Sequence, residues 1–271
     1  MLPLERTPER RCGYRTLLAC CWTVPRRRCG SLRLLFCRQG MPSGCFHGTS
    51  VSFTIGQWPL ARPSLELERE LWAAGYNCVA GLDEVGRGAW AGPVVAAAVI
   101  LPRRRVDLAE RLGEVRDSKA LSPAKRLRIL PLILATSRAV GVGMASAHFI
   151  DRWGIVLATR RAMLMAVHNL PVPPGFLLID ALRLPDVHVW QRALIKGDEH
   201  VLSIAAASIV AKVFRDRLIA AHDQYHPGYG FAAHKGYGTP AHRAALNRLG
   251  PCPEHRMSFA PLRRFTQWGR A

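Results

Sequence analysis

Two adjacent carboxylates, Asp83 and Glu84, close the apolar run of "CVAGLDEV", and the triplet Gly86-Arg87-Gly88 follows at once. Neighbouring acids repel, and a carboxylate beside a buried run is costly unless a cation holds it. Successive strand side chains point to opposite faces. Both acids therefore serve one site only if the strand ends or bends between Asp83 and Gly86, which the glycines permit. Taken alone, the pair reads first as an exposed turn. Two further acids change that balance. Asp180 closes the run "FLLID", and Asp198 stands in "KGDEH", between a β-rich run and a long helical pattern. Each alone reads as a cap or a turn, but three strand-end acidic sites in a basic chain point to a shared cation site. Carboxylate oxygens suit Mg2+ or Mn2+. Two such ions roughly 3.5–4 Å apart activate water and stabilise the leaving oxygen of a phosphodiester. Other chemistries fail on pattern. Gly86, Gly88 and Gly92 suggest a dinucleotide loop, yet Pro93 and "VVAAAVIL" continue as strand where that loop needs a helix. No Walker sequence is present, and the body holds no Cys/His cluster for zinc.

The elements that must position these acids follow from periodicity and punctuation. "LELERELWAAGY" predicts a helix stopped at Gly75. "CVAGLDEV", "GPVVAAAVIL" and the alternating "RAVGVGMASA" predict three strands. Between the second and third lies a helix with Ser122 as N-cap and Pro123 at its first position, which Pro131 should end or kink. "IDRWGIVLATRRAMLMAVHNL" has helical spacing up to "PVPPG", "FLLID" and "VHVWQRALI" predict strands four and five, and "SIAAASIVAKVFRDRLIAAHDQY" gives the longest helix, with small residues on one face. A short helix near 240–249 and a basic tail close the chain. This order implies a mixed sheet in an α/β layered domain with a helical C-terminal lobe.

The 271 residues carry a net charge of +19 and are 49% hydrophobic, enough for a real core. Through Ser64 there are 10 arginines and 2 glutamates; the remainder is still basic, which favours a polyanionic partner such as nucleic acid, although arginine-rich composition also follows from a GC-rich genome. Six of the eight cysteines fall between positions 12 and 45, leaving Cys78 and Cys252 in the body, a usage that fits a reducing, cytoplasmic setting. No stretch approaches the roughly 18 apolar residues of a spanning helix, so the chain reads as soluble, with no membrane partner. Residues 1–64 lack sustained periodicity. They read as a disordered or mis-annotated extension, with translation starting near Met41, or as a transit-like leader; residues 65–271 form the catalytic domain.

The segments "GLDEVGRGAWAGPVVAAAVIL", "RDSKALSPAKR", "LLID", "KGDEHVLSIAAASIVAKVFRD", "HKGYGTPAHRAAL" and "HRMSFAP" occur in this order, and together they resemble the type 2 ribonuclease H, or bacterial ribonuclease HII, family. The resemblance spans residues from about 77 to 262. It implies a ribonuclease H-like fold with a mixed five-stranded sheet flanked by helices. It also implies an endoribonuclease that cleaves RNA in RNA/DNA hybrids and cuts 5′ to single ribonucleotides in duplex DNA; nothing in the chain resembles a dedicated dimerisation helix, so it is expected to be a monomer. By the same resemblance Asp83, Glu84, Asp180 and Asp198 hold two divalent ions, Mn2+ or Mg2+. Gly86, Arg87 and Gly88 read the ribose 2′-OH, and Tyr237 packs beside the neighbouring nucleotide. The role of the glycines is physically apt, since they let backbone approach a sugar closely and the 2′-OH marks RNA. Lys119, with Arg87, is the better-supported phosphate contact; Lys196, Lys212 and Lys235 read equally as solvated cations, and Lys212, inside a helix, equally as a brace for a carboxylate. His234 and His242 stay outside the catalytic set. Ala181 departs from the glycine usual after the third acid, and alanine strains that turn if the position needs a positive φ. Competing with this expectation are a hybrid-binding protein without catalysis, which the intact acid set opposes, and another two-metal phosphodiesterase on the same fold.

Overall fold

Residues 62–265 of the computed structural model are described here; expectations for the N-terminal segment lie, through residue 61, outside them. The order is α1 (Glu66–Ala73), β1 (Val79–Val85), β2 (Val94–Ile100), α2 (Leu108–Arg111), α3 (Pro123–Thr136), β3 (Ala139–Ala145), α4 (Ala147–His168), β4 (Phe176–Asp180), β5 (Trp190–Leu194), α5 (Gly197–His200), α6 (Leu202–His222), α7 (Phe231–His234) and α8 (Pro240–Leu249). Short 3-10 turns cover Ser118–Ala120 and Ala260–Phe265. The sheet runs β3-β2-β1-β4-β5, antiparallel from β3 to β1 and parallel from β1 through β4 to β5. It is the mixed five-stranded sheet expected, with helices on both faces.

Each face carries its own apolar core. On one, Val79, Val95, Ala97 and Val99 meet α1, α3 and the alanine-rich start of α6. On the other, Ala80, Leu82, Ala96, Ala98 and Ile100 meet α4. The small residues of α6 allow near contact with the sheet: a Cβ added to Gly81 would sit 2.3 Å from the carbonyl carbon of Ser203. A third, smaller core joins Ala91 to Ile219, Phe231, Leu246 and Leu262, and so fastens the C-terminal helices to the loop that follows β1.

Two local expectations need correction. Pro131 does not end its helix, which runs on to Thr136. The proline lies on the exposed side of α3. The fourth helix starts earlier than its apolar spacing implies, with Ser146 accepting the Phe149 N–H at 3.2 Å, and it is broken at Gly154, with φ 80 and ψ 161.

Candidate active site

All the acids lie at one end of the sheet. β1 keeps its register with β2 through Asp83, Glu84 and Val85, and the break comes only at Gly86, with φ 91. The strand therefore ends between Asp83 and Gly86, as expected, and it does so past the acid pair, so that Asp83 lies on the α6 face and Glu84 on the α4 face. They still share one cleft of about 520 Å3, because the strand stops one residue beyond Glu84 and side chains from both faces open around its end. That cleft is also lined by Gly86, Arg87, Gly88, Ser118, Lys119, Ser208, Lys212 and Tyr237, so all five residues expected to contact substrate stand beside the acid pair.

Asp180 ends β4, the parallel neighbour of β1, and Asp198 is carried by the single turn α5. One turn couples the two, since the Gly197 N–H donates to Asp180 Oδ1 at 2.8 Å. Burial pushes the Asp83 carboxyl well above the usual range, and Glu84, Asp180 and Asp198 push it further against the easing contact of Ser208. Burial raises Glu84 against the pull of Arg87, and burial raises Asp180 against its bond from Gly197. Asp198 rises to about 6, through burial and then the nearby charges of Asp117 and Asp180. Four carboxyls are thus crowded where each resists ionisation, the state that a hard cation relieves.

The donor set fits such a cation. Glu84 Oε2 is buried with no hydrogen-bond partner, while its Oε1 accepts from Arg87 at 3.2 Å. Among the described residues no three His, Cys, Asp or Glu side chains are arranged to grip one ion. Three of the acids already have partners: Asp83 accepts from the Glu84 N–H at 2.7 Å, Asp180 from Gly197, and Asp198 faces the Lys119 ammonium at 3.9 Å. Asp117, two residues from Lys119 and capping its N–H at 3.0 Å, is a further acid of this group that the sequence did not single out.

Ala181 has φ 52, the left-handed region in which an alanine is strained. The conditional concern about this position thus applies, directly after the third acid. Lys196 and Lys235 share that conformation, with φ 55 and 53. Their ammonium groups turn elsewhere, Lys196 to Glu199 at 3.0 Å and Lys235 to the Ala232 carbonyl. Lys212 lines the cleft and also braces Asp216 at 2.8 Å.

The loop from Gly86 to Pro93 is held by two arginines with fully buried side chains that sequence reasoning missed. Arg215 donates to the carbonyls of Pro93 at 3.0 Å, Ala91 at 3.1 Å and Lys235 at 3.0 Å. Arg256 donates to those of Gly92 and Arg87, each at 2.9 Å. Gly86 is obligatory, since its Cβ would fall 2.1 Å from Arg215 Nε. The Gly236 carbonyl accepts from Trp90 at 2.8 Å and Ala91 at 3.2 Å, joining this loop to the one bearing Tyr237. The Tyr237 ring lies 5.3 Å from the Arg215 guanidinium and 5.6 Å from the Lys212 ammonium. No sequence cue marks these arginines, because their partners are carbonyls rather than acids.

Beneath the tyrosine loop the histidines form a directed chain. The Cys252 N–H donates to His255 Nδ1 at 2.9 Å, which leaves the proton on Nε2, 3.0 Å from His242 Nε2. His242 then donates from Nδ1 to the Tyr237 carbonyl at 2.9 Å, and the His234 ring stacks on it at 4.2 Å. His242 and His234 thus support the loop from below.

A family model described as Ribonuclease HII matches residues 80–262. A ribonuclease HII of Roseiflexus castenholzii is 55% identical over 200 residues, covering 74% of this chain and 89% of the relative. Among solved structures, ribonuclease H2 from Pyrococcus horikoshii OT3 aligns with TM-score 0.60 at 24% identity, over 71% of this chain and 99% of that one. The ribonuclease HII of a PCNA complex from Archaeoglobus fulgidus aligns with TM-score 0.56 at 27% identity, over 67% of this chain and 95% of that one. The two solved structures share the mixed-sheet fold described above, and the sequence matches carry the assignment further: the chain belongs to the ribonuclease HII family and is a metal-dependent endoribonuclease acting on RNA/DNA hybrids.

Proposed function

We propose that this endoribonuclease also cuts 5′ to single ribonucleotides embedded in duplex DNA, leaving 3′-hydroxyl and 5′-phosphate ends. The observation that carries the proposal is the shared cleft: Asp83 and Glu84 line it together with Gly86, Arg87, Gly88 and Tyr237. A site that senses one ribose needs its sugar-reading backbone beside the scissile phosphate, and the separation of Glu84 from Gly86 by Val85 alone supports that reading. Asp83, Glu84, Asp180 and Asp198 are assigned the ligands of two divalent cations, Mn2+ or Mg2+. Such cations supply Lewis acidity and neutralise charge at the phosphate when bound.

The chain's own groups do the rest. Gly88, with open space where a Cβ would stand, offers its backbone to a 2′-OH, and Gly86, whose missing side chain makes room for Arg215, turns the chain toward it. Arg87 offers a guanidinium, now resting on Glu84, for an adjacent phosphate. Lys119, with 84% of its side chain exposed, reaches from Asp198 toward solvent and is the second phosphate contact. Tyr237, held from behind by Arg215 and His242, presents its ring to the next nucleotide. Catalysis is assigned to residues 65–271, with residues 1–64 an extension outside it. The free cysteines Cys78 and Cys252 suit a cytoplasmic monomer, and no described helix is long and apolar enough to cross a membrane.

The test is cleavage of a duplex carrying one ribonucleotide, with each metal. The wild-type chain cuts it and spares the all-deoxy duplex, while Asp83→Asn binds the duplex and does not cut. Full cleavage by that variant removes the acids from their assigned role.

A further inference from the structure

α6 starts without a cap of its own. Val201 precedes it with no side-chain cap bond, and the first turn of a helix leaves backbone N–H groups unpaired. The missing acceptor comes from another helix: Glu68 of α1, 0% exposed, takes the Ser203 N–H on Oε1 at 2.8 Å. A buried carboxylate at a helix N-terminus is well placed electrostatically, although burying it is costly. The neighbouring Ser64 completes a clamp. Its N–H donates to the His200 carbonyl at 2.9 Å, and its own carbonyl accepts from Leu202 at 3.0 Å.

α5 runs directly into these fastenings, since its last residue is His200, whose carbonyl Ser64 holds. The turn carries Asp198, and its Gly197 N–H holds Asp180, so two of the four acids rest on one short segment. A single turn has little hydrogen bonding of its own, so its placement depends on the elements at its ends. Leu65 and Leu67, which flank Ser64 and Glu68 in the chain, pack into the same core as Val201 and Leu202, which seats the clamp. Residues 64–73 lie outside the stretch that the family model matches, 80–262.

We propose that Glu68 is a positioning residue of the metal site: by holding the first turn of α6 it fixes the α5 turn that presents Asp198 and braces Asp180. The inference rests on the assignment of those acids as metal ligands. Loss of the acceptor then loosens two ligands at once and weakens ion binding, while the loops that grip the duplex keep their own supports in Arg215 and Arg256.

Three variants of the full chain test it. Glu68→Met keeps side-chain volume and removes the acceptor, Glu68→Gln keeps an acceptor, and Leu71→Ala removes packing from the same helix. Mn2+ affinity is measured by calorimetry without substrate, alongside thermal melts and kcat and KM on the ribonucleotide-bearing duplex. Glu68→Met is expected to weaken Mn2+ binding and lower kcat by about tenfold each, with KM for the duplex unchanged. Glu68→Gln stays near wild type, and Leu71→Ala melts lower than wild type yet binds Mn2+ normally. Should Glu68→Met not fold, Ser64→Pro removes the N–H on the His200 carbonyl and takes its place, with the same expectation. Wild-type Mn2+ affinity in the clamp variant, or an equal loss in Leu71→Ala, overturns the proposal. Failure of the functional assignment shows separately, as a wild-type chain that leaves the ribonucleotide duplex uncut.

Discussion

Strain at Ala181 sits one residue from an acid of the candidate site. Its φ of 52 is held by its N–H on the Leu194 carbonyl at 2.8 Å and by the Leu182 N–H on the Asp180 carbonyl at 2.7 Å. The left-handed conformation costs a non-glycine residue about 1–2 kcal/mol, and glycine returns part of that through its freer unfolded chain. Ala181→Gly should therefore stabilise by about 0.5–1 kcal/mol, a melting rise of about 1–4 °C for a domain of this size. It should also raise kcat, because Asp180 is relieved with its neighbour. A melting temperature that stays put or falls shows that the turn stores no strain there. The four acids were legible as residues because each ends or follows an apolar run. Asp117, Arg215 and Arg256 were not: the first sits in a polar stretch, and the arginines bind carbonyls, which any residue could supply.

Among elements, the strands were the most legible, since β1 to β4 are short, largely apolar runs between turn residues. The loops between them were not. That Gly86–Pro93 and Lys235–Gly238 form one support depends on contacts between residues some 145 positions apart, such as Trp90 with Gly236. The histidine chain beneath them gives that support a pH dependence. Burial holds His242 and His255 down to about 4; His242 lowers His255 further, and the nearby His234 lowers both. As pH falls below the ordinary histidine value of about 6.5, the unfolded chain takes up protons that the folded chain refuses. Stability from the pair is therefore full above about pH 6.5 and is lost on the way to about pH 4. The raised carboxyls of the cleft act in the opposite sense, with stability lost as pH rises, for Asp198 through about 6. A comparison with His255→Gln, which cannot titrate, isolates the histidine part. Wild type should lose melting temperature more steeply than the variant between pH 6.5 and 4, and parallel curves refute the pair's role.

At the scale of the whole molecule, the mixed class of the sheet followed from element order, but the parallel placement of β4 beside β1 was beyond reach of local pattern. That placement matters most, because it brings Asp180 to the end of the strand carrying Asp83. A basic chain has thereby concentrated its repelling acids in one place, with two fully buried arginines nearby spent on loop carbonyls rather than on the carboxylates. Without a cation this arrangement works against folding at neutral pH, since each ionised acid disfavours the next. Asp83→Asn removes the most perturbed of them, so the metal-free variant should melt higher than metal-free wild type. Divalent ions bind only the folded site, and at a hundredfold excess over Kd they add about 2.7 kcal/mol, or about 5–10 °C. Wild type should show that rise with Mn2+ or Mg2+ and lose it on chelation, while Asp83→Asn should show little of it. The two effects cross: the variant leads without metal and trails with it. A variant that melts below wild type in both conditions would mean that Asp83 contributes to folding in its own right, and that the acids are not held in tension for an ion.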